Sequence, residues 1–122
     1  MQSPERTAAG APAPASATAA PHLAVRPLPE GRGVTLAGEV GLATRAVWTD
    51  VLAEAVEGGR SAYVLELSEV AFVDVAGAEA LAAAARRLET GRRIVLHDPP
   101  RTLSRVLEMY WPGLPGIEVP TP

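Results

Sequence analysis

The residues of this chain that could do chemistry are few, and their spacing suits recognition better than turnover. Cysteine is absent from the 122 residues, so thiolate metal sites, disulfide scaffolds and thiol nucleophiles are excluded together. All eleven basic residues are arginine, which removes a Walker A lysine, and neither a Gly-x-Ser-x-Gly elbow nor a Gly-x-Gly-x-x-Gly loop after a strand is present. The two histidines, His22 and His97, are far apart and form no pair at helical metal spacing. His97 beside Asp98 suggests acid–base work. Neighbours at a strand end point apart, however, so both read better as solvated turn residues. Glu66 and Asp74 lie eight residues apart across a turn and define no carboxylate pair. The expectation is a chain that is not an enzyme and carries no metal and no cofactor.

What remains is Asp74, placed where the apolar run Val70-Ala71-Phe72-Val73 hands over to the alanine-rich stretch Val75 to Leu88. A carboxylate at that junction can accept from a free backbone N–H of the first helical turn and complement the positive end of the helix dipole. Gly77 then allows close approach of backbone to the sheet or to a partner. Ser68 reads as a turn residue at a strand end, Thr44 as a helix cap and Ser104 as part of an exposed helical face, so none of the three is expected to be modified.

Elements that could position this junction follow from periodicity. Residues 1–21 are mostly Ala, Pro, Ser, Thr and Gly with little to bury, and are expected to form a disordered tail. Leu23 to Leu28 reads as an edge strand, because Pro27 cannot donate to an interior ladder, and Val34 to Val40 as its hairpin partner after the turn Glu30-Gly31-Arg32-Gly33. Thr44 to Val56 repeats apolar residues at helical spacing, including Val47, Trp48, Val51 and Leu52, and Gly58-Gly59 ends it. Ala62 to Leu67 is short and mostly apolar, as expected of a central strand buried on both faces. A second helix places Gly77, Leu81, Ala84 or Ala85, and Leu88 on one face, followed by a strand over Arg92 to His97. Asp98-Pro99-Pro100 can start a third helix with Leu103, Val106, Leu107 and Tyr110 inside, and Ile117 to Val119 reads as a last short strand. The order β-β-α-β-α-β-α-β predicts an α/β fold: a hairpin followed by strand–helix–strand units of right-handed connection, hence a mostly parallel central sheet with helices packed against it. One ordered domain over residues 22–120 is expected, with residues 121–122 as a short C-terminal end.

Net charge of −3 without a basic stripe argues against nucleic acid as a partner. No run of about 18 apolar residues exists to insert in a membrane, and no basic region precedes a leucine-rich one as in a secretory signal, so a cytoplasmic location is expected.

Three segments, in order, resemble the STAS family of bacterial anti-sigma factor antagonists. Glu66-Leu67-Ser68 through Asp74-Val75-Ala76-Gly77 is similar to the family's Asp-Leu-Ser strand end followed by Asp-Ser-Ser-Gly. Gly38-Glu39-Val40-Gly41 is similar to Gly-Glu-hydrophobic-Asp, with Gly41 in place of the aspartate. Leu103 to Glu108 looks like the helix after the fourth strand. The resemblance implies a STAS-like fold over Leu23 to Val119 and a non-enzymatic, protein-binding role in transcription regulation by partner switching. It implies as partner an anti-sigma factor of the GHKL serine kinase type. The partner-binding set it implies is Glu39, Val40 and Gly41 with Asp74, Val75, Ala76, Gly77, Ala78 and Glu79. In the family, the residue after the Asp of that motif is a serine or threonine that the kinase phosphorylates. Here it is Val75, followed by Ala76, so phosphorylation at the family position is excluded. The alternative is a STAS accessory, scaffold or sensor module of a transporter or signalling assembly.

Overall fold

The computed structural model describes residues 20–120. Apart from Ala20 and Pro21, the expected disordered tail lies outside the described residues, as do residues 121–122. Five strands and three helices alternate as expected: β1 (Leu23–Pro27), β2 (Gly33–Val40), α1 (Arg45–Glu57), β3 (Ala62–Val73), α2 (Val75–Arg87), β4 (Arg93–His97), α3 (Arg101–Tyr110) and β5 (Ile117–Glu118). Short 3-10 turns at Pro29–Gly31 and Leu42–Thr44 complete the chain. The sheet runs β1-β2-β3-β4-β5, with β1 antiparallel to β2 and every later pair parallel. The central place expected for the strand at Ala62 to Leu67 is the observed one.

That strand is covered on one face only, contrary to the expectation of burial on both. Tyr63, Leu65 and Leu67 are buried, whereas Ala62, Val64 and Glu66 between them are half-exposed. The reason lies in the strand order. Each parallel strand is added on the same side of the one before it, so connections of a single hand lay all three helices on the same face. Trp48 of α1, Leu81 of α2 and Leu103 of α3 accordingly share one core with Leu36, Leu65 and Ile94 of the sheet.

Strand β3 also runs six residues beyond the expected end at Leu67. Thr35 and Ala37 of β2 face Glu66 and Glu69, and Gly38 and Val40 face Val70 and Val73, so twice in succession two residues of β2 match three of β3. Each bulge shifts the alternation by one residue, which buries Val70 and Val73 and leaves Glu69 and Ala71 outside. The bulges thereby set the direction in which the chain leaves the sheet at Asp74. On the other side of β2, Gly38 has φ 131°, and a Cβ there would lie 2.1 Å from the His22 carbonyl oxygen, so only glycine lets β1 begin so close.

Helix α3 differs from expectation at its end. Leu103 and Leu107 are buried and Val106 partly so, but Tyr110 is 60% exposed. The helix closes there, and Trp111 leaves helical geometry at φ −140° and ψ 58° and packs against the core in place of Tyr110.

Candidate functional site

Asp74 leaves β3 in extended conformation, and its Oδ1 accepts a hydrogen bond from the Gly77 N–H at 2.7 Å, the cap expected from sequence. The same carboxylate has a second partner that sequence reasoning did not find. Arg45, the first residue of α1, donates through Nη2 to both carboxylate oxygens, at 3.1 Å to Oδ1 and 2.8 Å to Oδ2. The pair is about one-third exposed on each side, so solvent weakens it, but it binds the start of α1 to the start of α2.

Gly77 is a packing residue. A Cβ at this position would lie 2.7 Å from Val40 Cγ1 and 2.9 Å from Val73 Cγ1, closer than side chains tolerate. Its carbonyl oxygen accepts from the Trp48 indole N–H at 2.9 Å, a bond made by a fully buried side chain. Tryptophan therefore fills the space between α1 and α2 and also satisfies a backbone group in the first turn of α2. Thr44 acts on the neighbouring loop. It occupies the N-cap position of α1 without a side-chain capping bond; its hydroxyl instead donates to the Glu39 carbonyl at 2.8 Å and accepts from the Gly41 N–H at 3.0 Å.

These contacts divide the expected partner-binding set. Glu39, Gly41 and Asp74 are half-buried, and Val75, Ala76 and Glu79 are exposed on one end of the molecule. Val40, Gly77 and Ala78 are buried: Val40 faces the core from the end of β2, and the first turn of α2 packs Gly77 and Ala78 against it. Leu42, absent from the expected set, is 87% exposed in the turn after Gly41, and Val75 is 57% exposed. Gly41 lies beside the Asp74 carboxylate, with Oδ2 4.0 Å from where its Cβ would be, so Leu42 and Val75 flank the same ion pair. The surface is thus apolar and small around a neutralised charge, with Glu39 and Glu79 on its border.

A second polar cluster lies on the open face of the sheet. Glu66 and His97 are register neighbours on β3 and β4, and His97 Nδ1 is 2.6 Å from Glu66 Oε2. Glu66 Oε1 accepts from the Ser68 N–H at 3.1 Å. Burial raises the Glu66 pKa, but the bonds from Ser68 and the neighbouring His97 outweigh it and hold the carboxyl below its usual range. His97 is therefore tied to a residue 31 positions away rather than to Asp98, its neighbour, which bends outward at φ 54°. No group of three metal-ligating side chains occurs among the described residues.

The strand order bears on what this arrangement can do. In open α/β sheets, ligand crevices form outside the strand ends where the order of strands reverses. Here the order runs from β1 to β5 without reversal, so the sheet has no such switch point. No helix is long and apolar enough to cross a membrane among the described residues.

A family model described as Mlab, STAS domain, matches residues 23–111. Among solved structures, the chain is similar to that of the anti-sigma factor antagonist SpoIIAA in its unphosphorylated form. The TM-score is 0.58, at 18% identity, over 82% of this chain and 89% of that one. At that identity the likeness is one of fold. No curated protein matches the chain in sequence.

Proposed function

We propose that this chain, which belongs to the STAS domain family, is a regulatory protein-binding domain whose partner is an anti-sigma factor of the GHKL serine kinase type. Partner switching is the corresponding pathway, in the cytoplasm, and binding there would release a sigma factor. The observation that carries the proposal is Val75. It stands exposed in the first turn of α2, directly after the capping Asp74, where the family resemblance puts the phosphoacceptor. A phosphoryl group in that turn would add about two negative charges beside the free N–H groups of the helix and change what the surface binds. Valine has no hydroxyl, so the surface keeps its unmodified character whether or not ATP is present. Contact is made by Leu42, Val75 and Ala76, with Glu39 and Glu79 at the border, over the base formed by Arg45, Asp74 and Gly77.

Purified protein and its Val75→Ser variant, mixed with GHKL-type kinases from the same organism and ATP, test the proposal by co-elution and intact mass. Wild type is expected to form a stable complex without gaining a phosphate, and the variant to gain one and dissociate. Failure of both forms to bind any such kinase overturns the proposal. The same observation then favours a second reading, an accessory or scaffold module of a transporter or signalling assembly, because an exposed apolar surface that cannot be modified also suits a permanent partner.

A further inference from the structure

At the other end of the molecule, α3 and the segment leading to β5 enclose a cleft of about 210 Å³. Its apolar walls are Leu107, Trp111, Leu114, Ile117 and Val119, and Ser104 and Glu108 give it a polar side. It lies apart from the Asp74 surface. Helix α3 starts beyond the C-terminal end of β4 and runs back along the sheet, so Trp111 and Leu114 sit near the strand beginnings, whereas Asp74 lies at a strand end.

Three features give this cleft a preference for positive charge. Glu108 lines it, is exposed, and makes no ion pair among the described residues, unlike Asp74, Glu66 and Glu118. The C-terminal end of α3 opens at the same place, and its last turn contains no basic residue, so the negative end of the helix dipole is uncompensated by its own side chains. Trp111, half-buried in the wall, offers an aromatic surface, the side chain most favourable to a cation. Met109 and Tyr110, 69% and 60% exposed, extend the apolar surface beyond the rim.

We infer that this cleft is a second protein-binding site, taking a short apolar segment of a partner protein that carries an arginine beside a leucine or similar side chain. The apolar side chain fills the pocket against Leu107 and Leu114. The guanidinium lies between Glu108, the carbonyls ending α3 and the face of Trp111. A cavity of this size admits one or two side chains. Extension of the sheet by an added strand is disfavoured, because Pro115 and Pro120 bracket the two-residue β5. The inference is independent of the function proposed above and of any kinase.

The test titrates the full chain with the peptide acetyl-Leu-Arg-Leu-amide and with the same peptide carrying neutral citrulline for arginine, followed by amide and indole NMR shifts. The arginine peptide is expected to shift the Trp111 indole and the amides of Ser104, Leu114 and Val119 while leaving the buried Trp48 indole in place. Glu108→Gln, a change on an exposed position, is expected to weaken the arginine peptide by about two- to fivefold and leave the citrulline peptide unchanged. Equal binding of both peptides to wild type, or shifts scattered away from the cleft, overturns the inference. So does a shift of the same residues with protein concentration alone, accompanied by dimer mass, since a second copy of the chain would then occupy the cleft.

Discussion

Asp74 and Asp98 each end a parallel strand and each precede a helix on the covered face of the sheet, yet the two junctions are built differently. At Asp74 the side chain caps α2, receives Arg45 and sits over Gly77, whose carbonyl is held by Trp48. At Asp98 the residue turns through φ 54°, and α3 starts on Pro100 with no side-chain cap. Proline supplies the backbone angle for the second junction locally. The first is fixed by residues 29 positions away, through both side chain and backbone. The junction with long-range support is the one that carries Val75.

Five changes would break or sharpen this contrast. Trp48→Ala removes a fully buried side chain and leaves the Gly77 carbonyl without its donor, so stability is expected to fall by about 3–5 kcal/mol. The urea midpoint reads this, and a loss under about 1 kcal/mol would mean that α2 is held by the sheet alone. Gly77→Ala is next. Overpacking against Val40 and Val73 costs about 1–3 kcal/mol, offset by up to about 1 kcal/mol from alanine's helix propensity, so a net loss is expected. A gain would show that the first turn of α2 moves freely on β2.

Truncation of the two aspartates tests the comparison directly. Asp74→Ala is expected to cost about 1–2 kcal/mol through the cap, with Arg45 losing its carboxylate, whereas Asp98→Gly is expected to be neutral or to stabilise by up to about 1 kcal/mol by relieving a left-handed backbone. Equal losses at both would erase the distinction. The smallest effect concerns pH and Glu66. Its carboxyl is held below the usual range in the folded chain, so its contribution is present above the ordinary carboxylate pKa and is lost as pH falls through the lowered folded value. Glu66→Gln is expected to flatten the acid side of the stability profile slightly. An unchanged profile would mean that the bonds to Ser68 and His97 contribute nothing in solution.

Much of the architecture was readable without coordinates. Val47, Trp48, Val51 and Leu52 announce α1 by their spacing, Gly58 and the Pro99-Pro100 pair punctuate it and α3, and Asp74 before an alanine-rich run marks the N-terminus of α2. These signals are local: they depend on side chains within a turn or two of one another. Other parts were not readable. Arg45 looks like any exposed arginine until the register of β2 on β3 brings α1 against Asp74. Leu42 resembles a core leucine by type, and only its place in a 3-10 turn puts it outside. Tyr110 fits the helical stripe of α3 by spacing, but Trp111, outside helical geometry, packs against the core and Tyr110 is left exposed.

The sequence by itself determined the order of elements, the cap at Asp74 and the absence of a hydroxyl at Val75, because periodicity, capping and residue chemistry act over a few residues. Tertiary structure alone decided which sheet face is covered, where β3 ends and which residues around Asp74 are exposed. Those depend on strand order, on two bulges between β2 and β3, and on contacts spanning about thirty residues, which arise only once the strands have found their register.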